Sequence, residues 1–566
     1  MHLLRASAAA TSSSSWFLYT VVSRHFSSAS KISQLPSLSK IRNRRREVIQ
    51  DAQQALTDYL HNTRYLPYTF AEHIGKNSTF SLVNIIAKVY SSRATFLGSF
   101  QRFLRYHPIN EFEFFYESIG IHYKEVNGFL PANKFFLSED LRTLNAAYAL
   151  SGFGFPWNRL GELYKEEKSI FGMDSTELSR KLRGLKDYGF KTELIIAICL
   201  VFPRVLSAEC QLGWKYAMFL DDLKRVLIDF DLMSYVECNL DAWYDICRKI
   251  RVFYDLDCEK GKMGELMGIN KSIFMEYSEE DLIRKVDFFC RLCVGKEEVA
   301  LFLLERPEIL GFDLENRVIS VLGFLKHCGM KTEELKSIAQ KYPHVVGRHK
   351  MVNLPHVMRA LDLEEWFFNK MKNGNHLLLG SYDGCKFDED LDGDFKARLD
   401  KIESSRNRNH YLTKLNFLHG VGFGENKFII KVLDRVNGNG GELQERFDCL
   451  LRNGIEFSKL SKMLSLSPKI LNQKAEILEQ KLNFLCQDVG SSLQLLDEFP
   501  AFLCYDLEKR IKPRYYFHMW LLEKGFCAKN YSLASIIATS EKNFVHRISV
   551  IHPSAPKQWA EFFKQK

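Results

Sequence analysis

Five prolines, each followed by a short apolar plug, recur down this chain and limit what it can fold into. They are Pro203-Arg-Val-Leu206, Pro307-Glu-Ile-Leu310, Pro343-His-Val-Val346, Pro468-Lys-Ile-Leu471 and Pro500-Ala-Phe-Leu503. Proline lacks the backbone N–H and its ring crowds the preceding turn, so it closes one helix and starts the next rather than sitting inside either. Three of them stand fourteen residues after a glycine, namely Gly189, Gly329 and Gly454. A residue just past a helix C-terminus often needs positive φ, which glycine takes most easily. Weaker rungs fill the gaps: Lys168-Ser-Ile-Phe171 lies 35 residues before Pro203, and the same four letters at Lys271–Phe274 lie 36 before Pro307. Degenerate rungs near Tyr235, His376, Asn437 and Ser540, with Pro131 at the start, give about ten to twelve units of 31 to 37 residues.

Each unit reads as helix, turn, helix and short third turn. In residues 314–346, Leu314, Val318, Val321, Leu322 and Leu325 share one helical face. Gly329 ends that helix, Thr332 is expected to cap a second one, and Glu333 and Glu334 suit its positive end. Leu335, Ile338 and Ala339 form the second face, and Val345 and Val346 plug back after Pro343. No unit can bury its apolar faces alone, so neighbours must stack. The expected fold class is all-α: a helical-repeat solenoid of three-helix units, two α and one short 3-10.

The ends and one internal stretch fall outside the ladder. Residues 1–46 hold eight Lys/Arg, twelve Ser and no Asp or Glu, the make-up of an organelle transit peptide and basic linker. Arg24-His25-Phe26-Ser27 resembles a mitochondrial processing site with cleavage after Phe26, which favours the mitochondrion over the chloroplast. Residues 47–130 read as an N-terminal helical region, 131–372 and 409–550 as two repeat blocks, and 551–566 as a tail. Between the blocks, residues 373–408 carry Asp383, Asp388, Glu389, Asp390, Asp392 and Asp394 among glycines and read as an exposed acidic insertion. A calcium loop is the sharper alternative there, but the ligand order of an EF-hand is missing. The 13 cysteines are scattered, with Cys290-Arg-Leu-Cys293 the closest pair, and read as thiols in a reducing compartment. No run of about 18 apolar residues offers a membrane span.

The Gly…Leu…Pro-x-(Val/Ile/Phe)-(Leu/Val) unit, clearest in Gly329–Val346 and Gly454–Leu471, resembles the motif of the mitochondrial transcription termination factor (mTERF) family. The C-terminal run Arg510-Ile-Lys-Pro-Arg514, Leu521-Leu-Glu-Lys-Gly525 and Ser540-Glu-Lys-Asn-Phe544 resembles the plant branch. The resemblance implies a right-handed solenoid whose basic groove holds nucleic acid, and work in transcription, intron splicing or ribosome assembly in an organelle. The implied partners are organellar RNA or double-stranded DNA, with other splicing or transcription factors beside them.

Catalytic signatures are missing. Asn437-Gly-Asn-Gly-Gly441 has no following Lys-Ser/Thr pair to hold phosphate, and His344, His349 and His356 are spaced by five and seven, not by one helical turn. The chain reads as non-catalytic, with no cofactor and no metal. A nucleic-acid groove must neutralise phosphates. The candidates near the rungs are Arg204, Arg348, Lys350, Arg359, Lys469 and Lys474, while Arg306 has acidic neighbours in Glu305 and Glu308 and is set aside. The densest cluster is Lys509, Arg510, Lys512 and Arg514, followed by Tyr515, Tyr516 and Phe517, where cations and rings could pair phosphates and stack on bases. With a net charge of +9, reduced by any processing of the leader, a protein-interaction scaffold in an organellar complex is the second reading.

Overall fold

The computed structural model describes residues 45–90, 93–207, 214–256, 258–382, 392–527 and 531–564. The expected cleavage site and residues 1–44 of the expected transit peptide and basic linker lie outside the described residues, as do Asp383, Asp388, Glu389 and Asp390, and with them most of the calcium-loop alternative. The described chain is helical apart from one small ribbon, and none of its helices is long and apolar enough to cross a membrane. It divides into two compact units, one running up to Tyr216 and including Cys238–Tyr244, the other comprising Ala217–Glu237 and Asp245 onward.

The first unit opens with α1 (Arg45–Asp58), α2 (Tyr68–Asn77), α3 (Thr79–Val89), α4 (Arg93–Tyr106) and α5 (Glu111–Ser118). Phe96, Phe100, Phe112 and Phe115 are buried in it. Two repeats follow, Leu141–Phe153 with Leu160–Glu166 and the 3-10 turn Lys168–Gly172, then Ser175–Asp187 with Thr192–Val201 and the turn Pro203–Leu206. Pro131 opens no helix; it stands in a loop before the 3-10 turn Leu137–Glu139.

In the second unit the same design recurs. Pro307, Pro468 and Pro500 each start a 3-10 turn directly after a helix. The residue before each ladder proline, Phe202, Arg306, Tyr342, Ser467 and Phe499, has φ between −133° and −123° and ψ between 53° and 69°. Proline's ring bars its predecessor from the helical region, so the turn is set locally. Leu206, Leu310, Leu471 and Leu503 are buried, and a fully buried Leu is worth about 1.5–3 kcal/mol. Gly189, Gly329 and Gly454 adopt φ of +92°, +89° and +91°. After two of them the next N–H reaches back, Met330 to the Leu325 carbonyl at 3.0 Å and Ile455 to that of Leu450 at 3.3 Å, closing the helix end.

Pro343 departs from the ladder. It starts a plain turn and is exposed, and Val346 is only half-buried, although Val345 is buried. The chain then forms β2 (Arg348–Lys350), antiparallel to β1 (Val318–Ser320). Val318 therefore lies in a strand, and the helix expected from Leu314 begins only at Val321. Thr332 is the first helical residue rather than the cap: the Lys331 N–H donates to the Glu334 carboxylate at 2.9 Å. The carbonyls left over at this irregular rung are taken up by the segment 424–426, with the Gly424 N–H donating to His344 O at 3.0 Å. Asn426 Nδ2 donates to Val346 O at 2.6 Å and His344 O at 3.1 Å, while its Oδ1 accepts from the N–H of Phe428 at 2.8 Å to cap Lys427–Leu433.

The stretch 373–408 is not a simple exposed loop. Leu379 is buried, and the Gly380 backbone lies so close to the Phe312 ring that a Cβ would stand 2.8 Å from it. Asp392 caps a helix, Gly393–Glu403, which buries Phe395 and Ile402. Asp392 and Asp394 gave no hint of this helix because they occupy its cap and its exposed first turn.

Substituting Gly454→Ala forces a side chain into the left-handed region and should cost about 1–2 kcal/mol. Gly184→Ala, inside Ser175–Asp187 where an added Cβ meets nothing within 4 Å, should stabilise by up to about 1 kcal/mol. Urea unfolding followed by circular dichroism should move in opposite directions for the two variants.

Candidate nucleic-acid interface

Cations in this chain serve two purposes, and their hydrogen bonds separate them. The last carbonyls of a helix or 3-10 turn have no partner within it. In seven repeats among the described residues, a Lys or Arg on the first helix reaches the carbonyls that end the same repeat. Lys181 Nζ donates to Leu206 O at 3.1 Å, Lys249 to Phe274 O at 3.0 Å, and Lys285 to Phe312 O. Lys414 donates to Val436 O at 2.9 Å, Arg446 Nη1 to Leu471 O at 2.8 Å, and Lys481 to Leu503 O at 2.9 Å. Arg514 Nη1 meets the carbonyls of Ile536 and Ile537 at 3.2 Å and Thr539 at 2.6 Å, and its Nη2 pairs with Glu541 at 2.6 Å. These heads are largely withdrawn from water: Lys481 is 1% exposed and Arg514 2%. Burial pushes the Lys481 amine down to about 8 and lowers Lys285, Lys414 and Arg514 as well.

This corrects the C-terminal cluster. Arg514 is buried and its guanidinium also lies 4.6 Å over the Phe544 ring. Arg510 turns inward too, donating from Nε to Ile537 O at 2.9 Å and from Nη2 to Thr539 O at 2.7 Å, with its guanidinium 4.4 Å over Tyr505. Both brace the C-terminal end of Leu533–Ile537. Lys512 pairs with Glu508 and is half-buried, while Lys509 alone of the four stands fully in solvent. Of the rings that follow, Phe517 is core; Tyr515 and Tyr516 pack edge-on against Phe484 at 5.6 and 5.9 Å. The four residues do not form one patch.

Away from the C-terminus, Arg204 and Lys469 are exposed, each held between buried neighbours of its 3-10 turn. Lys474, at the start of the next helix Ala475–Asn483, faces water beside the same rung as Lys469. Lys350 is exposed on β2, whereas Arg348 is half-buried and pairs with Glu425 at 3.2 Å. The Arg359 guanidinium lies 4.2 Å over the Phe457 ring and is half-buried. The solvent-facing set is therefore Arg204, Lys350, Lys469, Lys474 and Lys509.

Histidines around the irregular rung stay neutral. Burial pushes His344 down to about 4, His349 to about 3, His356 to about 3 and His419 to about 4. His349 Nε2 faces Val345 O at 3.3 Å, and its ring meets His419 edge-on at 5.9 Å. Cys290 is half-buried with its thiol raised to about 11, Cys293 is exposed at φ +58°, and Cys486 is exposed.

A family model described as mTERF matches residues 148–363 and 404–545. The mitochondrial transcription termination factor MTEF18 of Arabidopsis thaliana is 50% identical over 549 residues, covering 97% of this chain and 98% of that protein. Two further Arabidopsis relatives are more distant. The mitochondrial factor MTERF15 is 20% identical over 73% of this chain and 80% of its own, and the chloroplastic factor MTERF8 is 27% identical over 64% and 74%.

Arg514→Ala removes one donor from each of the Ile536, Ile537 and Thr539 carbonyls and the cation paired with Glu541, and should destabilise the protein by about 3 kcal/mol. Lys509→Ala should stay within about 0.5 kcal/mol of the parent. Differential unfolding in urea measures both. The buried histidines bind protons in the unfolded state before the native one, so stability should fall as pH drops from 6.5 towards about 4. Replacing His349 by Leu should flatten that fall when unfolding is titrated across the same range.

Proposed function

The chain belongs to the mTERF family and is mitochondrial, and from that premise we propose that it is a nucleic-acid-binding protein of organellar gene expression, acting in transcription termination or in intron splicing. The observation that carries this reading is the likeness, along nearly the whole of both chains, to a relative named a transcription termination factor. In this reading the contacts to RNA or double-stranded DNA come from rung cations that face water, Arg204, Lys350, Lys469, Lys474 and Lys509. Each is held by a short turn, strand or helix start that its repeat fixes. Arg348, Arg359 and Lys512 stand second, since each is half-buried. Backbone phosphates are the natural partners of such lysines, and contacts to them position a strand without reading its sequence. The chain's own part is binding and positioning, with no chemical step assigned to it.

The test is binding as a function of salt. Affinity for a polyanion should fall linearly in log K against log salt, by about 0.7 per neutralised phosphate on single strands and 0.9 on B-form duplex. Replacing Arg204, Lys469, Lys474 and Lys509 together by Ala should flatten the slope by up to four such increments while leaving the helical signal intact. A variant that binds organellar RNA and duplex DNA as well as the parent at every salt concentration would remove these residues from the interface and favour the protein-scaffold reading.

A further inference from the structure

A second surface lies in the N-terminal helices, outside both stretches that the family model matches. α1 runs into a π-turn, Tyr59–Thr63, and the chain leaves it through Arg64 and Tyr65. Tyr65 has φ +59° and is 87% exposed. A bulky residue in the left-handed region is strained, and this strain holds an aromatic ring out in water, where the fold gains nothing from it. Tyr68, three residues on, is also exposed, as is Phe135 on a neighbouring loop.

A buried carboxylate fixes these two loops to each other. Glu111 is almost wholly buried; it forms an ion pair with Arg64 Nε at 2.6 Å and accepts from the Leu137 N–H at 2.9 Å and from Tyr59 Oη at 3.4 Å. Its own N–H donates to Phe135 O at 2.8 Å. The Arg64 guanidinium stacks 4.1 Å over Phe136. The rings of Tyr65, Tyr68 and Phe135 thus stand on a braced base.

The helix α4 belongs to an acid-free stretch. From His73 to Asn110 there is no Asp or Glu, while Lys76, Lys88, Arg93, Arg102 and Arg105 fall in that span. α4 rests against α1 and the π-turn and carries exposed Arg102, Arg105 and Tyr106. The carboxylates beside the rings are engaged: Glu139 accepts the N–H groups of Phe135 and Phe136 at 2.8 and 2.9 Å, and Asp140 caps the Thr143 N–H at 3.2 Å and pairs with Lys134.

We propose that this surface stacks unpaired bases of a single-stranded nucleic acid, with Tyr65, Tyr68 and Phe135 as ring platforms and Arg102 and Arg105 taking phosphates. Every base has a π-face, so such stacking tolerates sequence, whereas bases paired within a duplex cannot reach the rings. The site is separate from the rung cations and stands whether or not those bind.

The experiment uses the full chain and a labelled single-stranded RNA of roughly a dozen nucleotides, with the same sequence as duplex in parallel. Tyr65→Ala with Tyr68→Ala should weaken single-strand binding at least about fivefold for each ring removed. Duplex binding and the salt slope should not change, because no charge is lost. Tyr65→Trp should keep the parent's affinity, and Arg102→Gln with Arg105→Gln should flatten the single-strand slope. Three results would overturn the proposal: single-strand affinity within twofold of the parent in the double tyrosine variant, an equal loss on duplex, or a loss confined to vesicles of anionic phospholipid. Because Tyr65 is solvent-exposed, its removal should leave the unfolding midpoint in place. If Tyr65→Gly, which also relieves the strained φ, binds the single strand like the parent, the ring is not a platform.

Discussion

A turn that ends in water can leave its last carbonyls to the solvent, but a turn buried between two helices cannot. Seven repeats among the described residues close on such a turn, and there the reach of a Lys or Arg from the first helix to that turn lets the apolar plug sit inside. Lys481 and Arg514 show the arrangement most fully, one with a single ammonium and the other with a fork spanning three carbonyls. A buried cation is unfavourable unless its protons are satisfied, and a helix C-terminus is where a positive charge gains most from the peptide dipoles. In these repeats the bond satisfies the carbonyls that the buried plug withdraws from water.

The same bond decides which basic residues remain for a partner. A chain with 78 Lys and Arg looks rich in possible phosphate contacts, yet part of that charge is spent inside the repeats. Charge density along the sequence is therefore a poor guide to the interface: the densest cluster, 509–514, keeps one side chain fully in solvent. A cation such as Lys469, held on a turn by buried neighbours, is better presented than a crowded run.

The ladder itself was legible because proline and glycine act through backbone sterics, which depend only on neighbours. Pro203, Pro307, Pro468 and Pro500 start the short turns that their spacing predicts. Pro343 carries the same local dihedrals before it but not the same outcome, since β2 and Asn426 compete for its carbonyls, and both partners are distant in sequence. Side-chain direction was equally hidden. Arg510 and Arg514 look like surface charge until the carbonyls of Ile537 and Thr539 are brought beside them. A usable signal existed, because each bracing cation precedes the carbonyl it holds by 22 to 27 residues. The acid-free span from His73 to Asn110 was visible too, but lying outside the ladder it was read only as a helical region.

Asn426 ties the chain to itself across 80 residues, where the bracing cations span 22 to 27. Closing the longer loop costs roughly 1 kcal/mol more in chain entropy, and nothing local helps to form it. In a repeat array structure can nucleate on either side and spread. The junction at Pro343 is then a step that must wait for both sides. There the Asn426 amide acts together with the Gly424 N–H on His344 O at 3.0 Å and the Arg348–Glu425 pair, and the three form a kinetic seam between stretches that can fold locally.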